Sequence, residues 1–260
     1  MPAARLDHDE RIVREDRLRQ LRDMLEGYRR GRRNGSCRLV PTGLARLDEA
    51  LPHGGLPGGA VVEILSALDG GGAMTVALRA AVAAADGARP VVVVDPRGDL
   101  YPPAVWQLGL AKDLLLVVRP SSLPEALWAF DQALRCSCVA AVVAPLERID
   151  GAASRRLQLA AESSGAMGIL LRPAADRRHS FAAVQMLVEP VPGQAPGWPS
   201  GGAEPSFSSA RLCRVSLTKV REGRPVEPFV INLGDETGIE PLLPVSVHGP
   251  AAGERRRIGA

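Results

Sequence analysis

The stretch that decides the fold reads Gly54-Gly55-Leu56-Pro57-Gly58-Gly59-Ala60-Val61-Val62-Glu63-Ile64-Leu65, a glycine-rich turn followed by an apolar run. A short apolar run bounded by turn residues predicts a buried strand. A second glycine-rich loop follows at residues 66–72, and the alanine-rich residues from about 73 to 85 predict a helix. A glycine-rich turn that leads into a helix N-terminus can hold a phosphate group through its free backbone N–H groups.

Beyond this loop, predicted strands and helices alternate strictly. Further strands are predicted at 91–95, 114–118, 139–143 and 168–171, with helices at 102–110, 124–134 and 152–163. This alternation predicts an α/β fold with a doubly wound, mostly parallel sheet. Three later segments (184–188, 211–220 and 229–233) also read as strands, and we expect them to be antiparallel at one sheet edge. The Pro-, Gly- and Ser-rich stretch of about 190–209 predicts a mobile loop.

The chain divides into three predicted parts: an N-terminal amphipathic helix and linker at 1–38, a core at 39–243, and a disordered tail at 244–260. The helix, at 9–30, has an apolar face suited to packing on its own core or on another protein, formed by Leu18, Leu21, Leu25 and Tyr28. A basic cluster ends it: Arg29, Arg30, Arg32 and Arg33. These arginines are candidates for DNA phosphate contacts, or they are a solvated helix end favoured by the helix dipole.

Composition excludes several classes of protein. Apolar residues make up 46% of the 260 and aromatic residues only 3%, so we expect a packed core built from Ala, Val and Leu. No apolar run approaches the roughly eighteen residues of a membrane span, and no secretory leader is recognisable. The four cysteines are irregularly spaced, which favours a cytoplasmic protein, and nucleoid association is expected. Cys136 and Cys138 have poor zinc spacing, so we expect buried thiols and no metal site.

Thr42-Gly43-Leu44-Ala45-Arg46-Leu47-Asp48, followed by residues 54–64, resembles the region before the Walker A loop of RecA-family recombinases. The loop itself departs from that family. A working loop needs a lysine for the β- and γ-phosphates and a Ser or Thr for magnesium. This loop instead offers Gly72 and Ala73 at those two places, and Asp69 adds a negative charge. The degenerate loop positions are Ser66, Asp69, Gly70, Gly71, Gly72 and Ala73.

Three other places that the resemblance assigns to ATP hydrolysis are also changed. Arg97 follows the second strand, where the family keeps a catalytic glutamate, and an arginine cannot act as a general base. Ala144 stands where the Walker B aspartate is expected, and Arg172-Pro173 replaces a glutamine that senses the γ-phosphate. We therefore expect no catalytic residues, no ATP hydrolysis and no cofactor. The glycine loop reads as a simple turn, with weak nucleotide or phosphate binding left open.

Residues 119–135, residues 155–162 and residues 168–173 resemble the ImuA family of RecA-like accessory proteins. The resemblance implies a non-catalytic adaptor in the SOS response and translesion DNA synthesis. Its implied partners are RecA, an ImuB-type Y-family polymerase relative and, indirectly, an error-prone DnaE-type polymerase. Trp128 and Phe130 cannot both face one side of their helix, so we expect one to be available to a partner. The alternatives are a recombinase-type DNA-dependent ATPase and a SulA-like inhibitor of cell division.

Overall fold

The structure is a computed structural model that describes residues 38–176, 180–191, 211–221 and 223–234. The predicted N-terminal helix with Leu18, Leu21, Leu25 and Tyr28, and the basic cluster Arg29, Arg30, Arg32 and Arg33, lie outside the described residues. So do the tail and most of the predicted mobile loop, residues 192–210. These assignments and the three-part division stay predictions.

Strands and helices alternate along the described core. The strands are β1 Leu39–Val40, β2 Leu56–Pro57, β3 Val61–Ser66, β4 Val91–Val94, β5 Leu115–Val118, β6 Ala141–Pro145, β7 Met167–Pro173, β8 Val184–Pro190, β9 Leu212–Val220 and β10 Phe229–Asn232. The α-helices are α1 Ala45–Ala50, α2 Ala73–Ala85, α3 Pro102–Gln107, α4 Leu123–Leu134 and α5 Gly151–Ser164. Short 3-10 turns occupy Pro52–Gly54, Lys112–Leu114 and Ala174–Asp176.

Eight of the strands form one sheet in the order β10-β9-β8-β3-β7-β6-β4-β5. The six strands from β8 to β5 are parallel, whereas β9 is antiparallel to both β8 and β10. The predicted doubly wound, mostly parallel α/β fold is confirmed. The predicted antiparallel strands at one sheet edge are confirmed for β9 and β10, and β8 is antiparallel to β9 on one side but parallel to β3 on the other.

Side chains of the central strands β3, β4, β6 and β7 point alternately into two apolar layers. On one face, α2 packs its alanines against the sheet, with Ala77, Ala80 and Ala81 fully buried. On the other face, α4 and α5 contribute Phe130 and Leu157, which are also fully buried. Small alanine side chains let α2 lie close to the sheet. The interior is therefore narrow enough to be filled without many large aromatic side chains.

The turn-rich region before β3 is fixed by one carboxylate. Asp48 of α1 accepts hydrogen bonds from the Thr42 backbone N and Oγ1, both at 2.8 Å, and from the Gly43 N at 3.1 Å. β1 and β2 form a two-stranded antiparallel sheet beside it. Thr42, Gly43 and Asp48, which belong to the segment that resembles RecA-family recombinases, therefore fix the backbone that precedes β3.

The cysteine pair before β6 differs from its prediction. Cys136 and Cys138 are exposed, so the prediction that they are buried was wrong. The reason is that β6 begins at Ala141 rather than at 139, which leaves both cysteines in the turn before the strand. Among the helices of the described residues, none combines the length and apolarity that a membrane crossing requires.

Candidate functional site

The loop between β3 and α2 has a shape that only glycine adopts easily. Gly70 has φ of +76° and Gly72, the N-cap of α2, has φ of +95°. The Gly71 N donates a hydrogen bond to the Leu68 carbonyl at 3.0 Å, and the Ser66 hydroxyl donates to the same oxygen at 2.6 Å. Left-handed φ angles carry a steric cost for residues with a Cβ. The glycines are thus needed for the turn itself.

Gly72, at the place of the missing lysine, is covered by the C-terminal strands. A Cβ at this position would lie 2.5 Å from Cys213 Sγ in β9 and 2.7 Å from Leu233 Cδ1, just after β10. A Cβ does not approach a sulfur or carbon atom that closely, and both neighbouring residues are buried, at 4% and 1% exposure. A lysine here would have to displace two core side chains.

The same strand also uses the loop as a hydrogen-bond partner. Cys213 Sγ donates to the Gly71 carbonyl at 3.3 Å, and burial raises the pKa of this thiol. A raised pKa keeps the thiol protonated at neutral pH, so it remains a donor. The contact joins residues that are 142 positions apart and closes the loop against β9.

A small cavity of about 190 Å³ adjoins the loop. Its described walls include the three glycines, Pro190, Arg211 and Leu233. This volume is below the roughly 300–1,000 Å³ of typical small-molecule sites. Arg211, a residue that the sequence analysis did not single out, brings a cation to the cavity. Arg211 is far from the loop in sequence, so only the folded structure shows that it lines this cavity.

Arg97 and Asp69 pair across the mouth of the loop. Arg97 Nη1 lies 3.4 Å from Asp69 Oδ2, and its Nε lies 3.1 Å from Asp99 Oδ2. Asp69 is strongly exposed, with 89% of its side-chain surface accessible, so solvent screens the pair. Arg97, at the place that the resemblance assigns to a catalytic glutamate, therefore directs its guanidinium toward the carboxylates of Asp69 and Asp99.

Asp95, two residues before Arg97, uses its carboxylate to hold the backbone of the following turn. It is 2% exposed and accepts hydrogen bonds from the N–H groups of Gly98, Asp99 and Leu100 at 3.0–3.3 Å. Arg119 Nε lies 3.8 Å from its Oδ2. A carboxylate with three backbone donors caps the turn after β4 and has little capacity left to activate water.

The Walker B position is apolar and closed. Ala144 is fully buried in the layer beneath α4 and α5, and β6 lies between β4 and β7. A methyl group supplies no metal ligand. Within the ranges that the structure describes, no three His, Cys, Asp or Glu side chains come together as a metal site.

Arg172 does not face the loop but forms a buried ion pair with Glu63. Its Nη1 lies 3.2 Å from Glu63 Oε1, and both side chains are at most 1% exposed. The Ser180 hydroxyl donates to the same carboxylate at 2.6 Å, and Gln185 Nε2 donates at 2.9 Å. The sequence identified Arg172 only as the replacement of a glutamine that senses the γ-phosphate. Glu63, the one charged residue in the apolar strand β3, could have indicated this ion pair, because a buried carboxylate needs partners.

This network extends to β9, the strand that covers the loop. Thr218 Oγ1 donates to Gln185 Oε1 at 2.9 Å, and Lys219 Nζ donates to the Ser180 carbonyl at 2.6 Å. Burial, and then the nearby Arg221, lowers the pKa of Lys219. The polar groups of β3 therefore help to fix β9, and with it Cys213, in place.

An exposed aromatic surface lies away from the loop, on α4. Trp128 is 63% exposed whereas Phe130 is fully buried, so the predicted split between the two is confirmed. The helix starts at a capped residue, since Ser122 Oγ accepts a hydrogen bond from the Glu125 N at 3.4 Å. Trp128 is thus presented on a regular helix whose other face is anchored in the core.

Similarity to known proteins identifies the family of this chain. The family model of the RecA N-terminal domain matches residues 29–169. Protein ImuA of Caulobacter vibrioides is 34% identical over 204 residues, covering 72% of this chain and 80% of that protein. Protein RecA of Kineococcus radiotolerans is 36% identical over 130 residues, which are 50% of this chain and 35% of that protein.

Among solved structures, the crystal structure of the RadB recombinase aligns with a TM-score of 0.55 at 16% identity. The alignment covers 74% of this chain and 94% of that one, and it shows that the fold is RecA-like. The resemblance predicted from residues 119–135, 155–162 and 168–173 is confirmed by the ImuA match. The chain belongs to the ImuA family of RecA-like proteins.

Proposed function

We propose that this chain is a non-catalytic RecA-like adaptor of the DNA-damage response that acts in SOS-induced translesion synthesis. It works by binding protein partners and does not hydrolyse ATP. Membership of the ImuA family supports a role in the DNA-damage response. The loop between β3 and α2, which lacks the lysine and is covered by β9, supports the absence of ATP hydrolysis.

The observation that carries the proposal is the packing over Gly72. A P-loop lysine reaches the phosphates from the position where this chain has a buried glycine under Cys213 and Leu233. Substitution of that one residue would not restore the site, because the strands around it have closed on the loop. Arg97 and Ala144 add the loss of a general base and of a metal ligand at two other strand ends.

The proposed partner surfaces are the predicted helix at 9–30 and the exposed Trp128. An exposed tryptophan on a rigid helix is a typical anchor of a protein interface, because it offers a large contact area with few rotatable bonds. We propose RecA and an ImuB-type polymerase relative as direct partners and a DnaE-type polymerase as an indirect one. The basic cluster at 29–33 is a proposed DNA contact.

Co-purification from cells with damaged DNA tests this function. We expect the wild-type chain to capture RecA or the polymerase relative, deletion of residues 1–35 to abolish RecA capture, and Trp128→Ala to weaken capture of one partner. Tyr101→Ala is the matched control, since Tyr101 is a similarly exposed aromatic residue, at 67%, near α3. Unchanged capture by the deletion and by Trp128→Ala would refute the proposed surfaces.

A further inference from the structure

Two exposed thiols meet in the turn between α4 and β6. Cys136 Sγ and Cys138 Sγ lie 2.9 Å apart, and both residues are exposed. Backbone hydrogen bonds hold the turn: the Cys136 N donates to the Ala133 carbonyl at 3.2 Å, and the Val139 N donates to the Cys136 carbonyl at 3.1 Å. The fold itself therefore brings the two sulfur atoms together at the surface.

We propose that Cys136 and Cys138 form a redox modification site, in which hydrogen peroxide converts the two thiols into an intramolecular disulfide and a small dithiol reduces it back. Cys136 thiolate attacks one peroxide oxygen, the O–O bond breaks, and the departing oxygen leaves as water after protonation. The resulting sulfenic acid is then attacked by the Cys138 sulfur, which forms the S–S bond and releases a second water. Two thiols and one peroxide thus give one disulfide and two waters.

The surroundings of the two sulfur atoms favour Cys136 as the attacking thiol. The side-chain contact with Cys138 and backbone hydrogen bonds of Cys138 and Val139 lower the pKa of Cys136, while the contact with Cys136 and desolvation raise the pKa of Cys138. A thiolate is the attacking species, so Cys136 attacks and Cys138 resolves. The sulfurs must approach by less than about 1 Å to reach the S–S bond length of about 2.05 Å.

Cys213 provides the internal contrast. Its side chain is buried, burial raises its thiol pKa, and it donates to the Gly71 carbonyl. Buried thiols of this kind are inert toward oxidants. The described residues also hold no third ligand that would turn Cys136 and Cys138 into a metal site. Oxidation is therefore the chemistry that fits this pair, and an exposed disulfide is readily reduced again.

The test uses the full chain treated with a small excess of hydrogen peroxide, then alkylated with iodoacetamide and digested with trypsin. Cleavage after Arg135 and Arg148 releases residues 136–148, which contain both thiols and neither of the other cysteines. We expect this peptide to lose two hydrogens and both alkylation sites, and to regain both sites after dithiothreitol. Cys213→Ser, the matched control, should react as the wild type does.

A variant that keeps only one of the two thiols separates disulfide formation from simple thiol damage. In Cys138→Ser the remaining thiol cannot close the ring, so we expect peptide 136–148 to gain oxygen atoms as sulfinic acid that dithiothreitol does not remove. The proposal is overturned if the wild-type peptide keeps both alkylation sites, gains oxygen as Cys138→Ser does, or is linked to Cys37 or to a second chain.

Discussion

Replacing Gly72 with alanine adds one methyl group where the loop meets the C-terminal strands. The φ of +95° is unfavourable for a residue with a Cβ and costs about 1–2 kcal/mol. The methyl group would also lie 2.5 Å from Cys213 Sγ and 2.7 Å from Leu233 Cδ1, and overpacking of this kind costs about 1–3 kcal/mol. We therefore expect Gly72→Ala to lower the free energy of unfolding by about 2–5 kcal/mol.

Gly70→Ala is the matched control in the same loop. Gly70 also has a positive φ, +76°, but no atom lies within 4 Å of its added Cβ. Only the conformational cost of about 1–2 kcal/mol remains. Urea unfolding followed by circular dichroism gives both values. If Gly72→Ala destabilises the chain no more than Gly70→Ala does, the loop is not closed by β9 and the argument against a lysine at this place fails.

Three further predictions concern residues outside the glycine loop. Trp128→Ala should change the free energy of unfolding by no more than about 0.5 kcal/mol. Phe130→Ala on the same helix should lower it by about 3–5 kcal/mol. Equal losses of stability in thermal unfolding would contradict the exposed position of Trp128 and the buried position of Phe130. Glu63→Leu should lower the free energy of unfolding, measured in urea, by about 3–5 kcal/mol, because it removes the carboxylate that pairs with the buried Arg172. A loss of less than about 1 kcal/mol would contradict the buried ion pair. The pKa of Lys219 is lowered from its ordinary 10.5, so the unfolded chain binds the extra proton and stability should rise with pH just below 10.5. The difference in unfolding free energy between wild type and Lys219→Met should show that slope, and a flat difference would contradict it.

Local signals predicted most of the elements. The alanine run after the glycine loop gave a helix at 73–85, and α2 has the same bounds. The valine run at 91–94 is a buried parallel strand, as continuous β-branched stretches favour. Both patterns report burial and periodicity, which depend on neighbouring residues along the chain.

Contacts between distant segments were beyond such patterns. No residue near the glycine loop indicates that Cys213 and Leu233 cover Gly72. Likewise, the sequence of residues 184–188 does not indicate that this strand pairs in parallel with β3. Cysteine is often buried, yet Cys136 and Cys138 are exposed because the backbone bond from Val139 keeps them in a turn. The Glu63 network likewise joins β3 to residues more than a hundred positions away.

The most direct test of a non-catalytic RecA-like adaptor is nucleotide binding by the full chain, measured as the anisotropy of a fluorescent ATP analogue with and without magnesium. A recombinase with an intact loop serves as the positive control. The closed loop, the absent lysine and the buried Ala144 predict no magnesium-dependent binding up to millimolar nucleotide. Magnesium-dependent binding at micromolar concentration or below would contradict the account.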